Sequence, residues 1–390
     1  MAPGTSLEGV ILPERTGHWD MQLRDGKIAT LRPSATSGGG MVLPVMADIH
    51  THLDKTFTAR RMPRRAQSLF DAIDMMATDA AGWTPDDIRK RAEKGLARAY
   101  GHGTALMRSH LDWTSDTPPP AWSVLRDLAE EWQGRITLEL ASLSPLEHLV
   151  EHGTRIAAEL GPAGGVLGAF IYRNDNLENG LARVFDLAER YDLRLDFHVD
   201  EGLEPEARGF DAILRQTEQR GLSGRVLCGH CCALSVRDTA EVASLLARAA
   251  EAGMGLVTLP ACNAYLQDAT SGRTPRLRGI APIQEARASG MAVMIGSDNV
   301  QDGFHPYGDY DLLNIWHLAV LLGHLTPADW LDAISGIPAW WMGHDLTLRE
   351  GGPADFIHIA AATPEEMLCH PGVARQVWRQ GRPLNTGGLQ

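Results

Sequence analysis

Cysteine is scarce in this chain, with Cys228, Cys231, Cys232, Cys262 and Cys369 the five examples in 390 residues. An odd, thinly spread set builds no disulfide framework of the secreted kind, so reduced thiols and a cytoplasmic location are expected. Basic charge is short as well: 36 Lys and Arg face 49 Asp and Glu, a formal net charge of -13. No basic stripe offsets this balance, which argues against nucleic acid as a partner. No apolar run approaches the ~18 residues of a membrane span. The opening stretch from Met1 to Glu8 lacks a basic segment followed by an apolar one. A soluble chain without a membrane partner is expected, and a homo-oligomer is neither required nor excluded. Aromatics make up only 6% of the chain, yet 44% of it is hydrophobic, enough for a large packed core.

Short apolar runs, each too short for a helix, recur between polar loops and helical segments. They are Met41 to Ile49, Ala105 to Leu111, Ile136 to Leu143, Gly165 to Ile171, Leu193 to Val199, Arg225 to Gly229, Met254 to Leu259 and Met291 to Gly296. Between them, stretches such as Ala121 to Trp132, Leu181 to Tyr191 and Thr239 to Ala252 carry apolar residues at helical spacing. Strand and helix alternating in this way predict an α/β fold, a (β/α)8 TIM-type barrel. A doubly wound open sheet is the alternative, but no dinucleotide-binding glycine fingerprint accompanies it.

Both ends of the chain depart from that pattern. Leu23 to Leu31 and Val377 to Leu384 each read as strand, Gly-containing turn and strand, and Asp355 to Ile359 adds another strand. These segments predict a small β-sandwich domain from residues 1–44 and 346–390, flanking a barrel over residues 45–345.

Barrel enzymes place their chemistry at the C-terminal ends of their strands, and metal-binding side chains gather there. His50 and His52 follow the first run, His198 and Glu201 the fifth, His230 the sixth and Asp298 the eighth. Two histidines one residue apart on extended backbone point the same way and can share an ion. Three imidazoles and a carboxylate with room for water suit a catalytic zinc or ferrous iron, which would acidify a bound water. The Cys228 to Cys232 cluster has no second ligand pair at suitable spacing for a structural zinc, so these cysteines are expected in the core.

The segments LPVMADIHTHLDKTFT, MRSHLD, FHVDEG, GHCCALS and GSDNVQDGFHPYG together resemble the amidohydrolase superfamily, and within it the cytosine deaminase group. The resemblance spans nearly the whole chain. It implies one divalent metal, Zn or Fe, held by His50, His52, His198 and Asp298. It further implies catalytic roles for Glu201 as proton shuttle, for His230 beside the reacting centre and for Asp298 as proton acceptor. Relatives with a second metal bridge it through a lysine after the fourth strand. Here lysine occurs only at Lys27, Lys55, Lys90 and Lys94, so a single metal is expected.

Departures from the cytosine deaminase pattern fall among the expected substrate-binding residues. Ser144 stands where that group has a glutamine, Asn299 where it has a second aspartate, and Phe304 where it has an indole. Lys55, just after the histidine pair, is a further candidate substrate contact. HLDKTFT and SDN look closer to N-isopropylammelide isopropylamidohydrolase, although that relative lacks the glutamate supplied here by Glu201. The expected function is hydrolytic deamination of a small heterocycle, a cytosine-like pyrimidine or triazine, with release of ammonia. Hydrolysis of an N-substituted aminotriazine or of a cyclic amide by the same metal-activated water is the alternative. A noncatalytic, metal-stabilised binding protein is disfavoured, because a structural metal needs no proton shuttle.

Overall fold

The computed structural model describes residues 5–370 and 372–385. The chain begins with strands β1 (Thr5–Ile11), β2 (His18–Arg24), β3 (Lys27–Pro33) and β4 (Met41–Pro44). There follow β5 (Met46–Thr51), β6 (Thr104–Asp112), β7 (Thr137–Pro145), β8 (Val166–Ile171), β9 (Arg194–Val199), β10 (Val226–His230), β11 (Gly255–Thr258) and β12 (Ala292–Ile295). Near the C-terminus lie β13 (Phe356–Ile359), β14 (Arg375–Arg379) and β15 (Arg382–Pro383).

Strands β5 to β12 form one eight-stranded sheet in sequence order, with every neighbouring pair parallel. The sheet comes round on itself where Thr51 bridges Asp298, whose backbone N–H donates to the His50 carbonyl at 2.8 Å. Parallel neighbours need long crossovers. Helices supply them: α1 (Leu69–Ala80), α2 (Pro85–His102), α3 (Pro120–Glu131), α4 (Leu146–Leu160), α5 (Leu177–Tyr191), α6 (Gly209–Arg220), α7 (Thr239–Glu251), α8 (Pro260–Leu266) and α9 (Ile283–Ala288), and α10 (Leu312–Gly323) follows the last barrel strand. Their ends follow local chemistry. Thr84 caps α2 by accepting from the Asp87 N–H, and Gly103 ends that helix in the left-handed region at φ 104.

Leu140, Leu167 and Phe197 of the strands share one continuous core with Leu149, Phe185 and Ile213 of the helices. Each such side chain contributes about 1.5–3 kcal/mol by leaving water. The end of the barrel opposite the strand C-termini is plugged by Trp341 and Ala339 against Ala47, Leu227 and Val257.

The terminal strands pair in the order β15-β14-β13-β4-β1-β2-β3, and Val10, Met21, Ile28, Val42 and Phe356 from both wings share a separate core. The β2–β3 turn holds Asp25 at φ 51 and Gly26 at φ 75, and the β14–β15 turn holds Gln380 at φ 49 and Gly381 at φ 71. Two consecutive positive φ values make the hairpin turn that Gly serves without steric cost.

The structure corrects the sequence reading at the first apolar run. Met41 to Ile49 is two strands, because Pro44 offers no N–H to continue a ladder and the chain crosses between sheets at Val45. Strand β1 and helix α1 had no expected counterpart. The outer limits of the proposed terminal domain, residues 1 and 390, lie outside the described residues.

Candidate metal and reaction centre

Three of the strand ends that carry the candidate chemistry leave extended geometry at a non-glycine residue: Asp200 at φ 49, His230 at φ 66 and Asp298 at φ 60. Such conformations cost about 1–3 kcal/mol each and persist only where the surroundings impose them. At Asp200 the carboxylate accepts from the Gly209 and Phe210 N–H groups at 3.1 and 2.9 Å, pinning the start of α6. Asp200 therefore anchors the loop while its neighbour Glu201 faces the site. Asp48 does a similar job on the first strand, accepting from the Ser297 N–H at 3.1 Å and hydroxyl at 2.6 Å, one residue before Asp298.

His50, His52, His198 and Asp298 converge on one buried point. The Nε2 of His198 lies 3.0 Å from that of His50 and 3.2 Å from that of His52. Oδ1 of Asp298 lies 3.6 Å from His50 Nε2 and 3.2 Å from His52 Nε2. Burial, reinforced by the neighbouring imidazoles, holds all three histidines well below their ordinary pKa, so they are neutral and carry lone pairs. Burial pushes Asp298 up to about 7. Neither of its carboxylate oxygens has a hydrogen-bond donor. Neutral imidazole nitrogens crowded around a carboxylate with no donor are what a divalent cation satisfies, and the donor set fits zinc or iron. Glycine makes the crowding feasible, since a Cβ at Gly229 would lie 3.0 Å from His50 Cε1.

His230 sits in the same cluster, with ligand-type atoms of His50, His198, His230 and Asp298 all within 4.8 Å of one another. Its Nδ1 faces the side-chain amide nitrogen of Asn263, on α8, at 2.9 Å. With that amide donating, the ring proton sits on Nε2, which has no partner in the protein and presents a donor to the cavity. Glu201 Oε1 lies 3.5 Å from His230 Nδ1. Burial, and then the nearby Asp298 charge, raises the Glu201 pKa well above its ordinary value.

The cavity over this cluster measures about 380 Å³ and is walled by His52, Lys55, Ser144, Glu201, Asn299 and Phe304 among others. Lys55 is buried, with Nζ 2.6 Å from Asp112 Oδ1 and 5.3 Å from the centre of the Phe304 ring. Burial opposes its charge, but Asp112 and Asp54 outweigh that and raise its pKa above the ordinary value. Ser144 donates its hydroxyl to the Trp113 carbonyl at 2.7 Å. Asn299 donates its amide to Asp302 Oδ2 at 2.7 Å. All four expected substrate-binding residues thus line one cavity, with three already tied to protein partners. A larger cavity of about 590 Å³, walled by Arg15, Leu43, Arg287 and Trp330, contains none of the metal-type cluster.

Sequence reasoning missed His110, Arg108, Asp196 and Asn263. The His110 ring lies 4.2 Å from that of His50, and its Nε2 is 3.2 Å from Asp196 Oδ2. Arg108 donates to Asp196 at 2.7 Å and to Glu139 at 2.6 Å. His50, His110 and Asp196 could be taken for a second metal site. The guanidinium already on that carboxylate supplies the positive charge instead. Arg108 and Asp196 interrupt apolar runs at inward-facing positions, which was the available signal. The cysteines of the Cys228 to Cys232 cluster are all buried and free.

A profile of the amidohydrolase family matches residues 139–384. A pterin deaminase from Rhizobium rhizogenes is 34% identical over 401 residues, covering 98% of this chain and 92% of the relative. An N-isopropylammelide isopropyl amidohydrolase from a Pseudomonas species is 23% identical, covering 73% of this chain and 69% of the relative. Among solved structures, 5-methylcytosine deaminase from Klebsiella pneumoniae superposes with a TM-score of 0.87 at 23% identity, over 98% of both chains.

Proposed function

The chain belongs to the amidohydrolase family, and from that premise we propose that it is a metal-dependent hydrolytic deaminase of an amino-substituted nitrogen heterocycle. Pterins, cytosine-like pyrimidines and aminotriazines are the substrate class, and ammonia is released. His50, His52, His198 and Asp298 would hold one divalent ion, zinc or iron. When bound, that ion supplies Lewis acidity that makes a water reactive near neutral pH.

The chain's own residues handle the protons. Glu201, whose acid form burial favours, delivers its proton to the ring nitrogen beside the amino-bearing carbon and makes that carbon electrophilic. Asp298 accepts a proton from the water as its oxygen bonds to that carbon. His230 donates from Nε2 to the oxygen on which charge develops. As the carbon–nitrogen bond breaks, the amino group takes the proton held by Asp298 and departs as ammonia, while the new hydroxyl returns its proton to Glu201. The oxo heterocycle remains.

The observation that carries this reading is the position of Glu201, a buried carboxyl group that walls the cavity over the histidine cluster with Oε1 3.5 Å from His230 Nδ1. Among the relatives, similarity to a pterin deaminase along almost the full chain supports deamination. Similarity to an N-isopropylammelide amidohydrolase supports the competing loss of an alkylamine from a triazine. Metal-replete protein offered pterins, cytosines and aminotriazines, with ammonia and alkylamine measured separately, tests the proposal. Alkylamine without ammonia, or a ring-opened acid, would replace it. A cytoplasmic location is part of the same reading, supported by the free thiols. No helix among the described residues is long and apolar enough to cross a membrane.

A further inference from the structure

Helix α1 is placed against the reaction cavity in a way the deamination chemistry does not use. Leu69, Ile73, Met76, Ala77 and Ala80 all face that cavity, and their spacing makes one stripe along the helix. An apolar stripe normally packs on a protein core. Here the space it faces is the chamber holding His52, His198, Glu201 and His230. Only Leu69, Ala72 and Met76 of the helix are buried.

The helix is fastened where it stands. Ser68 caps it by accepting from the Asp71 N–H, and Met76 Sδ accepts from the Gly303 N–H at 3.3 Å. At its outer edge Phe70 meets Tyr172 edge to face, with ring centres 5.0 Å apart. The roof is thus tied to the loops after β12 and β8.

We infer that the substrate carries an apolar substituent remote from its amino group, and that this part seats against the α1 stripe. The cavity volume of about 380 Å³ falls within the roughly 300–1,000 Å³ of pockets that enclose drug-sized ligands. A single small ring held at Glu201 and His230 would leave Ile73, Ala77 and Ala80 of the stripe in contact with water, whereas an attached apolar group covers them. Continuity of the stripe with the reaction centre identifies the occupant as part of the substrate. This inference rests on the deaminase reading for its choice of ring.

The test uses pterins bearing hydrogen, methyl or phenyl at the carbon most remote from the amino group, with metal-replete full-length protein. We expect kcat/KM to rise at least ~10-fold from hydrogen to phenyl, mainly through KM, because the gain is present before the transition state. Ala77→Phe fills the chamber from an exposed helical position and should lower the phenyl-to-hydrogen ratio ~10-fold or more. Metal content and melting temperature check that this variant is folded. Calorimetric binding of the corresponding oxo products reads the same preference without turnover. Tighter binding of the phenyl product with no ammonia from any substrate would overturn the deaminase reading and keep the chamber. Equal binding across the series, or a ratio unmoved by Ala77→Phe, would overturn the inference.

Discussion

Asn263 meets Nδ1 of His230 at 2.9 Å through its side-chain amide, and both groups are buried. The contact sets the tautomer, because an amide N–H given to Nδ1 leaves the ring proton on Nε2. Asn263 is in this sense a positioning residue. Asn263→Leu should lower kcat by ~10-fold or more while bound metal and KM change little. Unchanged kcat in a metal-replete variant would show that His230 finds its orientation without Asn263.

Glu201→Gln keeps the size of the side chain and much of its hydrogen bonding but cannot deliver a proton. Turnover should fall by ~10²-fold or more with metal retained. Normal turnover would rule out the proton-shuttle role.

Close to one zinc or iron per chain is expected in active protein by elemental analysis. His50→Ala and His198→Ala should each lose metal and activity together. Lys27, Lys55, Lys90 and Lys94 are the only lysines, and none is carried by β8 or the loop that follows it, so no lysine from that strand end can bridge a second ion. Two ions per active chain would contradict this assignment.

Cytosine should be a poor substrate. The Ser144 hydroxyl is committed to the Trp113 carbonyl, and the bond from the Asn299 amide to Asp302 fixes its orientation and takes one of its two N–H donors, so little is left for the edge of a small ring. Unsatisfied polar groups cost about 1–3 kcal/mol each. A better-matched heterocycle should lead by at least ~10-fold in kcat/KM, the ratio given by roughly 1.4 kcal/mol. Cytosine as the best of a kinetic panel would assign its recognition to another side chain, with Lys55 first in line.

Arg108→Met leaves Asp196 in the barrel interior without its guanidinium partner. Removing one member of a buried pair typically costs about 3–5 kcal/mol. The expected readout is a lower unfolding midpoint, partly restored by adding Asp196→Asn. Arg194 also donates to Glu139, and a midpoint equal to that of the parent protein would show that this pair holds the network alone.

Much of this was legible because strand ends and metal chemistry leave local marks. The run ending at Asp48-Ile49-His50-Thr51-His52 announced a strand with two histidines on one side of its end, and His198, His230 and Asp298 marked later strand ends in the same way. Pro44 was legible only as a residue, since crossing from one sheet to another depends on partners far along the chain. Helix α1 was missed because its stripe resembles any amphipathic helix and its unusual neighbour, a cavity, is a tertiary fact. Asn263 gave no signal because it acts on His230 from a separate helix. Ser144 lines the cavity, but its existing hydrogen bond to Trp113 could not be read from residue type.

The pairing of β4 with β13 carries a consequence for how the protein is made. Val42 pairs with His358 and Met41 with Ile359, so nearly the whole chain must be synthesised before β4 finds this neighbour. At about 5–20 residues per second the wait is on the order of tens of seconds. Throughout it, the strand leading directly into His50 and His52 has an open edge on that side. Early ribosome-bound chains therefore expose a pairing surface that the finished protein hides, and shielding during synthesis matters most for this segment.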